Sequence, residues 1–227
     1  MKPPEATGRL ATLGRKITKC HACPRLVDYL AGIKKKEPGF WCRPLPGVGD
    51  PKGEVLLVGL APGARGANRT GRMFTGDHSG QWLYRALCET GFANKPVSKG
   101  PGDGLRLRNL YITSAGRCAP PENKPTSGEL AECRHWLEEE FRLLPHVRVF
   151  LGVGKVGHDA ILKLLALSPS RFPFAHGARH EAGEGKIILD TYHCSRRNTN
   201  TGTLTWKMWI DVFRKTRRLV TSPPSRE

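Results

Sequence analysis

Apolar residues fall into short runs separated by longer stretches in which they recur with helical spacing. Residues 54–59 (EVLLVG) form a continuous apolar run rich in β-branched and aliphatic side chains, and a Gly/Pro/Arg loop follows it. A strand buried on both faces of a parallel sheet has this pattern. Residues 110–114 (LYITS), 147–152 (VRVFLG) and 187–192 (IILDTY) repeat it. Helix-like spacing occupies 81–90, 127–144, 155–167 and 203–220. Strands alternating with helices predict a three-layer α/β/α fold around a central four-stranded parallel sheet. Ligands of such sheets bind beyond the carboxyl ends of the strands, which directs attention to the loops there.

Two of these helices carry further detail. Thr126, Ser127, Gly128 and Glu129 have the spacing of a capping box, and Leu130, Cys133, Leu137, Phe141 and Leu144 then share one apolar stripe, turning Cys133 inward. In the last helix Trp206, Trp209, Ile210, Phe213 and Val220 make the buried face, opposite Lys207, Lys215 and Arg218. No internal repeat interrupts the chain, so 1–227 is read as one domain. Its amino-terminal segment is 1–45, 92–105 and 168–184 are surface loops, and 221–227 is a frayed tail.

Composition narrows the class. With 38% hydrophobic residues the chain is globular, and 26 glycines and 18 prolines imply generous loops. Lys and Arg number 37 against 20 Asp and Glu, a net charge of +17, which favours a polyanionic partner without identifying it. The first 19 residues hold charges and prolines but no apolar core of a signal peptide, and no stretch approaches the ~20 apolar residues of a membrane span. The expectation is therefore a cytoplasmic protein without a membrane partner. There, seven cysteines suit metal or redox chemistry better than disulfides.

Cys20 and Cys23 form a CxxC, and Cys118 and Cys133 a second, wider pair. Two pairs of thiolates can close a four-thiolate centre that staples the amino-terminal segment to the sheet. Spacing alone leaves iron–sulfur and zinc evenly matched. Cys42, Cys88 and Cys194 have no such partner spacing, and Cys88 reads as core.

The loop after the first strand, 59–80 (GLAPGARGANRTGRMFTGDHSG), is dense in glycine and arginine but contains no Walker sequence. An aromatic followed by an acid and then a helix suggests a stacking platform beside a carboxylate. The competing reading places Phe74 in the core and makes Asp77 a helix cap.

Four segments in order, the CxxC, 59–80, 117–125 (RCAPPENKP) leading to Cys133, and 192–202 (YHCSRRNTNTG), resemble the uracil-DNA glycosylase superfamily. GLAPG, GRxFTGD and HxSRxNTxTG together are similar to its iron–sulfur family 5, or type B. The resemblance implies a 4Fe-4S cluster on Cys20, Cys23, Cys118 and Cys133, with zinc as the alternative. It also implies a DNA glycosylase of base-excision repair, monofunctional and without lyase activity. Such an enzyme flips uracil, or another deaminated base such as hypoxanthine, out of duplex DNA and hydrolyses the N-glycosidic bond.

In that scheme Asp77, Asn123 and His193 are the catalytic candidates, while Phe74, Ala61 and Gly63 line the base pocket. Arg65, Arg69, Arg72, Arg196, Arg197 and Asn198 would hold DNA, the last three from a segment placed to fill the minor groove. Each has a plain alternative: a packed histidine, a turn-shaping asparagine, a solvated arginine. Leu60 and Ala61 stand where many relatives carry a water-orienting residue, and Ser114 where uracil-strict relatives carry an asparagine, departures that fit the broader family 5. The resemblance further implies a prokaryotic, nucleoid-associated monomer. The rival class is a nucleic-acid-binding module with a structural metal and no chemistry.

Overall fold

A computed structural model describes residues 5–221, so 222–227 of the expected tail lie outside the described residues. Four strands make the centre of the sheet: β2 (Val55–Gly59), β3 (Leu110–Ser114), β4 (Val149–Val153) and β6 (Ile187–Thr191), each buried along its whole length. They are parallel in the order β3-β2-β4-β6, with Val55 opposite both Leu110 and Val149. The four predicted strands are these four, each with ends within two residues of the predicted ones.

The sheet is larger than predicted. β1 (Val48–Gly49) adds antiparallel to β3, and β5 (Arg179–Glu181) adds antiparallel to β6, giving six strands. Two and three residues are too few to display a period of two, so neither edge is visible as a pattern. β5 also lies inside a segment read as loop.

Side-chain alternation divides the core into the expected layers. Val55 and Leu57 face one side, with Leu83, Tyr84 and Leu87 of α4 (His78–Glu89) and Trp209, Ile210 and Phe213 of α8 (Trp206–Thr221). Leu56 and Val58 face the other, with Leu137 of α5 (Ser127–Arg142) and Ile161 and Leu162 of α6 (Lys155–Leu164). The capping box is formed: Thr126 Oγ1 accepts from Glu129 N at 3.1 Å, and Glu129 Oε2 accepts from Thr126 N at 2.8 Å.

The amino-terminal segment is more ordered than its sequence suggested. α1 (Glu5–Ile17) packs Leu13 and Ile17 inward against α5, and α2 (Pro24–Lys36) buries Leu26 and Leu30. Two-residue stripes are weak signals, although Pro24 at the first helical position is a recognisable start. Arg25 of α2 grips Glu129 with two hydrogen bonds of 2.7 Å, so the carboxylate that caps α5 also holds α2.

Beneath the first turn after β3 lies a buried ion pair. Arg117 Nη2 and Glu140 Oε2 are 2.8 Å apart and both side chains are 1% exposed. Glu140 also accepts from Thr113 Oγ1 at 2.6 Å and Gly47 N at 2.8 Å, tying α5, β3 and the entry to β1 together. Among the described residues no helix is long and apolar enough to cross a membrane.

Candidate active site

The strand order reverses around β2, and a cleft of about 610 Å³ opens at the carboxyl ends there. Loops from four parts of the chain meet in it. Ala61 and Gly63 follow β2, Ser114 ends β3, Asn123 lies in the turn Pro121–Asn123, and His193 follows β6.

Phe74 enters the cleft from a strained backbone, with φ of 54°. Its ring lies over Gly59, where an added Cβ would sit 2.8 Å from Phe74 Cζ, so glycine at the strand end makes room for the ring. The Phe74 and His193 rings are stacked at an interplanar angle of 26°, their centroids 6.5 Å apart.

Asp77 caps α4: its Oδ1 accepts from Gly80 N at 3.0 Å. Its Oδ2 is turned to Gly63 and Gly66, where an added Cβ would lie 3.1 and 2.1 Å away respectively. The two readings of Asp77, cap and site carboxylate, are therefore compatible, because the cap uses one oxygen and leaves the other beside the loop that lines the cleft. Burial pulls the His193 imidazole below its ordinary pKa while the nearby Asp77 carboxylate opposes it, so His193 is neutral at neutral pH.

The segment after His193 is held from two sides. Ser195 caps the short helix α7 (Arg196–Asn200), and Asn198 Nδ2 donates to His193 O at 2.8 Å. His78 Nε2 lies 3.0 Å from Thr199 Oγ1, and Ser79 Oγ donates to Cys194 O, joining this segment to the first turn of α4. Ser195 was the available signal for this helix, and His78 and Thr199 had none.

The six residues proposed to grip DNA do not share one environment. Arg65 and Arg196 line the cleft, and Arg197 is exposed beside it. Arg69 is exposed but donates to Arg65 O and Gly76 O within α3 (Ala67–Thr70) and the loops that flank it. Arg72 is turned into an ion pair with Asp103 at 2.7 Å, its side chain 11% exposed. That pair anchors the 92–105 loop beneath the Phe74 turn, a structural task that competes with phosphate binding. Asn198 is engaged with the His193 carbonyl.

Behind the cleft, Cys20, Cys23, Cys118 and Cys133 line one small cavity together with Trp136. Burial and the mutual repulsion of the four sulfurs push the thiols of Cys118 and Cys133 up to about 12 and about 11. Arg117 N donates to Cys133 Sγ at 3.3 Å. No three His, Cys, Asp or Glu side chains among the described residues are grouped to hold a metal ion. Cys88 is half-buried against the core, whereas Cys42 receives a hydrogen bond from Asn68 Nδ2 and the buried Cys194 donates to Ser79 O.

The family model of the Uracil DNA glycosylase superfamily matches residues 46–215, which contain the whole sheet and the cleft. The chain belongs to this superfamily. It is 49% identical over 208 residues to a type-5 uracil-DNA glycosylase of Thermus thermophilus, covering 89% of this chain and 94% of that one. A type-5 uracil-DNA glycosylase of Mycobacterium leprae is 43% identical over 220 residues, 93% and 96% of the two chains. A type-4 uracil-DNA glycosylase of Archaeoglobus fulgidus is 34% identical over 184 residues, 79% and 78%. The superfamily chain thus stands nearer the type-5 relatives, and that likeness reaches into the amino-terminal segment ahead of residue 46.

Proposed function

We propose that this chain is a DNA glycosylase that excises uracil in base-excision repair, hydrolysing the N-glycosidic bond to leave an abasic site. The observation that carries the reading is the meeting of Phe74 and Asp77 with Asn123 and His193, from three segments remote in sequence, around one cleft at the strand ends. An everted pyrimidine stacks on Phe74. Its carbonyl meets the neutral His193 imidazole, which donates a hydrogen bond as the base leaves with its negative charge.

The sugar develops positive charge as the bond to the base lengthens. The Asp77 carboxylate oxygen facing Gly63 and Gly66 stabilises that charge and orients the water that attacks C1′. Asn123 serves the base or the water. Water, and no protein side chain, is the nucleophile in this scheme, which makes the enzyme monofunctional and hydrolytic. Ser114 in place of an amide at the base-facing strand end, and the breadth of the cleft, support acceptance of hypoxanthine as well.

The substrate is double-stranded DNA, bound by a monomer in the cytoplasm of a prokaryote, where its nucleoid lies. Eversion costs a few kcal/mol and is easiest at a mismatch, so U·G is cleaved in preference to U·A. Single-turnover cleavage of a U·G duplex by Asp77→Asn tests the scheme: the expected result is a large loss of rate with duplex affinity kept. Intact enzyme that binds the duplex without producing alkali-labile sites would favour the rival, a binding module without chemistry.

The four cysteines would hold a 4Fe-4S cluster, with a zinc ion on the same thiolates as the alternative. Their sharing of one cavity supports a four-thiolate centre, as does the backbone N–H of Arg117 that already donates to the Cys133 sulfur. The cluster's contribution is a cross-link between the amino-terminal segment, α5 and the turn after β3. Because thiols must give up their protons to bind a metal, loading would release protons and weaken in acid.

A further inference from the structure

Two buried N–H groups in the wall of the four-cysteine cavity have no hydrogen-bond partner: Trp136 Nε1 and Arg117 Nε. A buried donor without an acceptor costs on the order of 1–3 kcal/mol, and native structures rarely leave one so. Arg117 has compensation, since its two terminal nitrogens are bonded to Glu140. Trp136 has none.

Its place on α5 decides what it can reach. Trp136 follows Cys133 by three residues, so the two share a helix face, and side chains on a helix lean toward the amino terminus. Trp136 and Cys133 accordingly line the same cavity. Arg117 N already donates to Cys133 Sγ from the same wall, so sulfur serves as an acceptor in this cavity; of the two carboxylates that also line it, Glu129 is bonded to Arg25 and Thr126 N and Glu132 is exposed.

We propose that the Trp136 indole N–H donates a hydrogen bond to a sulfur of the metal centre, either a cysteine thiolate or an inorganic sulfide. The inference rests on the 4Fe-4S reading of the four cysteines. A donor aimed at cluster sulfur stabilises the more negative, reduced form, so it raises the reduction potential and shields the sulfur from solvent. Trp136 is thus a positioning and tuning residue of the centre, distant from the base.

The test begins with iron and sulfide counts on anaerobically purified wild-type protein. A chain that carries zinc, or no metal, ends both the cluster reading and this inference. With the cluster present, Trp136→Phe keeps an aromatic ring, though a smaller one, and removes the N–H. One-electron reduction at an electrode is expected at a more negative potential than in wild type, with the iron content kept and the uracil-excision rate of the loaded enzyme unchanged. An unchanged potential in fully loaded Trp136→Phe overturns the inference and leaves the cluster reading standing. Should that variant lose iron, wild-type protein containing ¹⁵N-indole tryptophan decides by electron–nuclear double resonance on the reduced cluster. A ¹⁵N coupling that identifies an indole beside the cluster supports the hydrogen bond, and its absence overturns it.

Discussion

Gly66 has little room to change, because a methyl group there would lie 2.1 Å from Asp77 Oδ2 and the carboxylate would be driven aside. A shift of ~1 Å in a catalytic group can cost about 100-fold in rate, so Gly66→Ala is expected to lose about that much in single-turnover excision while still binding duplex. Unaltered turnover would place Oδ2 outside the reaction. His193 gives a pH prediction. Its imidazole pKa lies below 6.5 because burial outweighs the pull of Asp77. The unfolded chain therefore takes up this proton first as pH falls, and the contribution of His193 to stability declines from about pH 6.5 downward. Excision that depends on neutral His193 should hold through pH 6.5 and fall only below it. Asp77→Asn removes the opposing charge, so the His193 resonance should titrate at still lower pH in an NMR series.

Among the elements, α5 does most to join the parts of the molecule. Its first turn holds Arg25 through Glu129, its middle presents Cys133 and Trp136 to the four-cysteine cavity, and Glu140 near its end pairs with Arg117. Removing one partner of a fully buried ion pair leaves an uncompensated charge, at a cost of about 3–5 kcal/mol. Glu140→Gln is expected to destabilise by about that much in urea unfolding, and Arg117→Met in the same chain to recover much of the loss. The stripe and the cap of α5 were legible in the sequence because both depend on residues within a few positions of each other. Glu140 was not: its partners Gly47, Thr113 and Arg117 come from elsewhere in the chain. For the same reason α1 and α2 went unread, since each gains stability from surfaces that other elements supply.

Across the whole molecule, a charge of +17 makes DNA binding salt-dependent, and the structure separates the arginines free to contribute from those already engaged. Arg65 lines the cleft, and removing one phosphate contact lowers the slope of log K against log salt by about 1. Arg65→Ala is expected to show that change. Arg72→Ala should leave the slope near wild type and instead loosen the 92–105 loop, because Arg72 is committed to Asp103. Equal slopes for both variants would remove Arg65 from the interface. The proposed grip was read from a run of arginines, and a run of like charges cannot show which members already have partners within the fold.

By itself the chain's sequence determined the layers, the four parallel strands, the motifs of the superfamily and the sign of its partner. Period and spacing are local, and a hydrophobic run buries itself on both faces of a sheet wherever it is placed. Tertiary structure alone decided the short edge strands, the placement of Asp77 Oδ2 against Gly63 and Gly66, the engagement of Arg72 and Asn198, and the orphaned indole of Trp136. Each of these depends on which groups from distant segments satisfy, or fail to satisfy, a buried polar atom, and that exists only once the chain has closed around it.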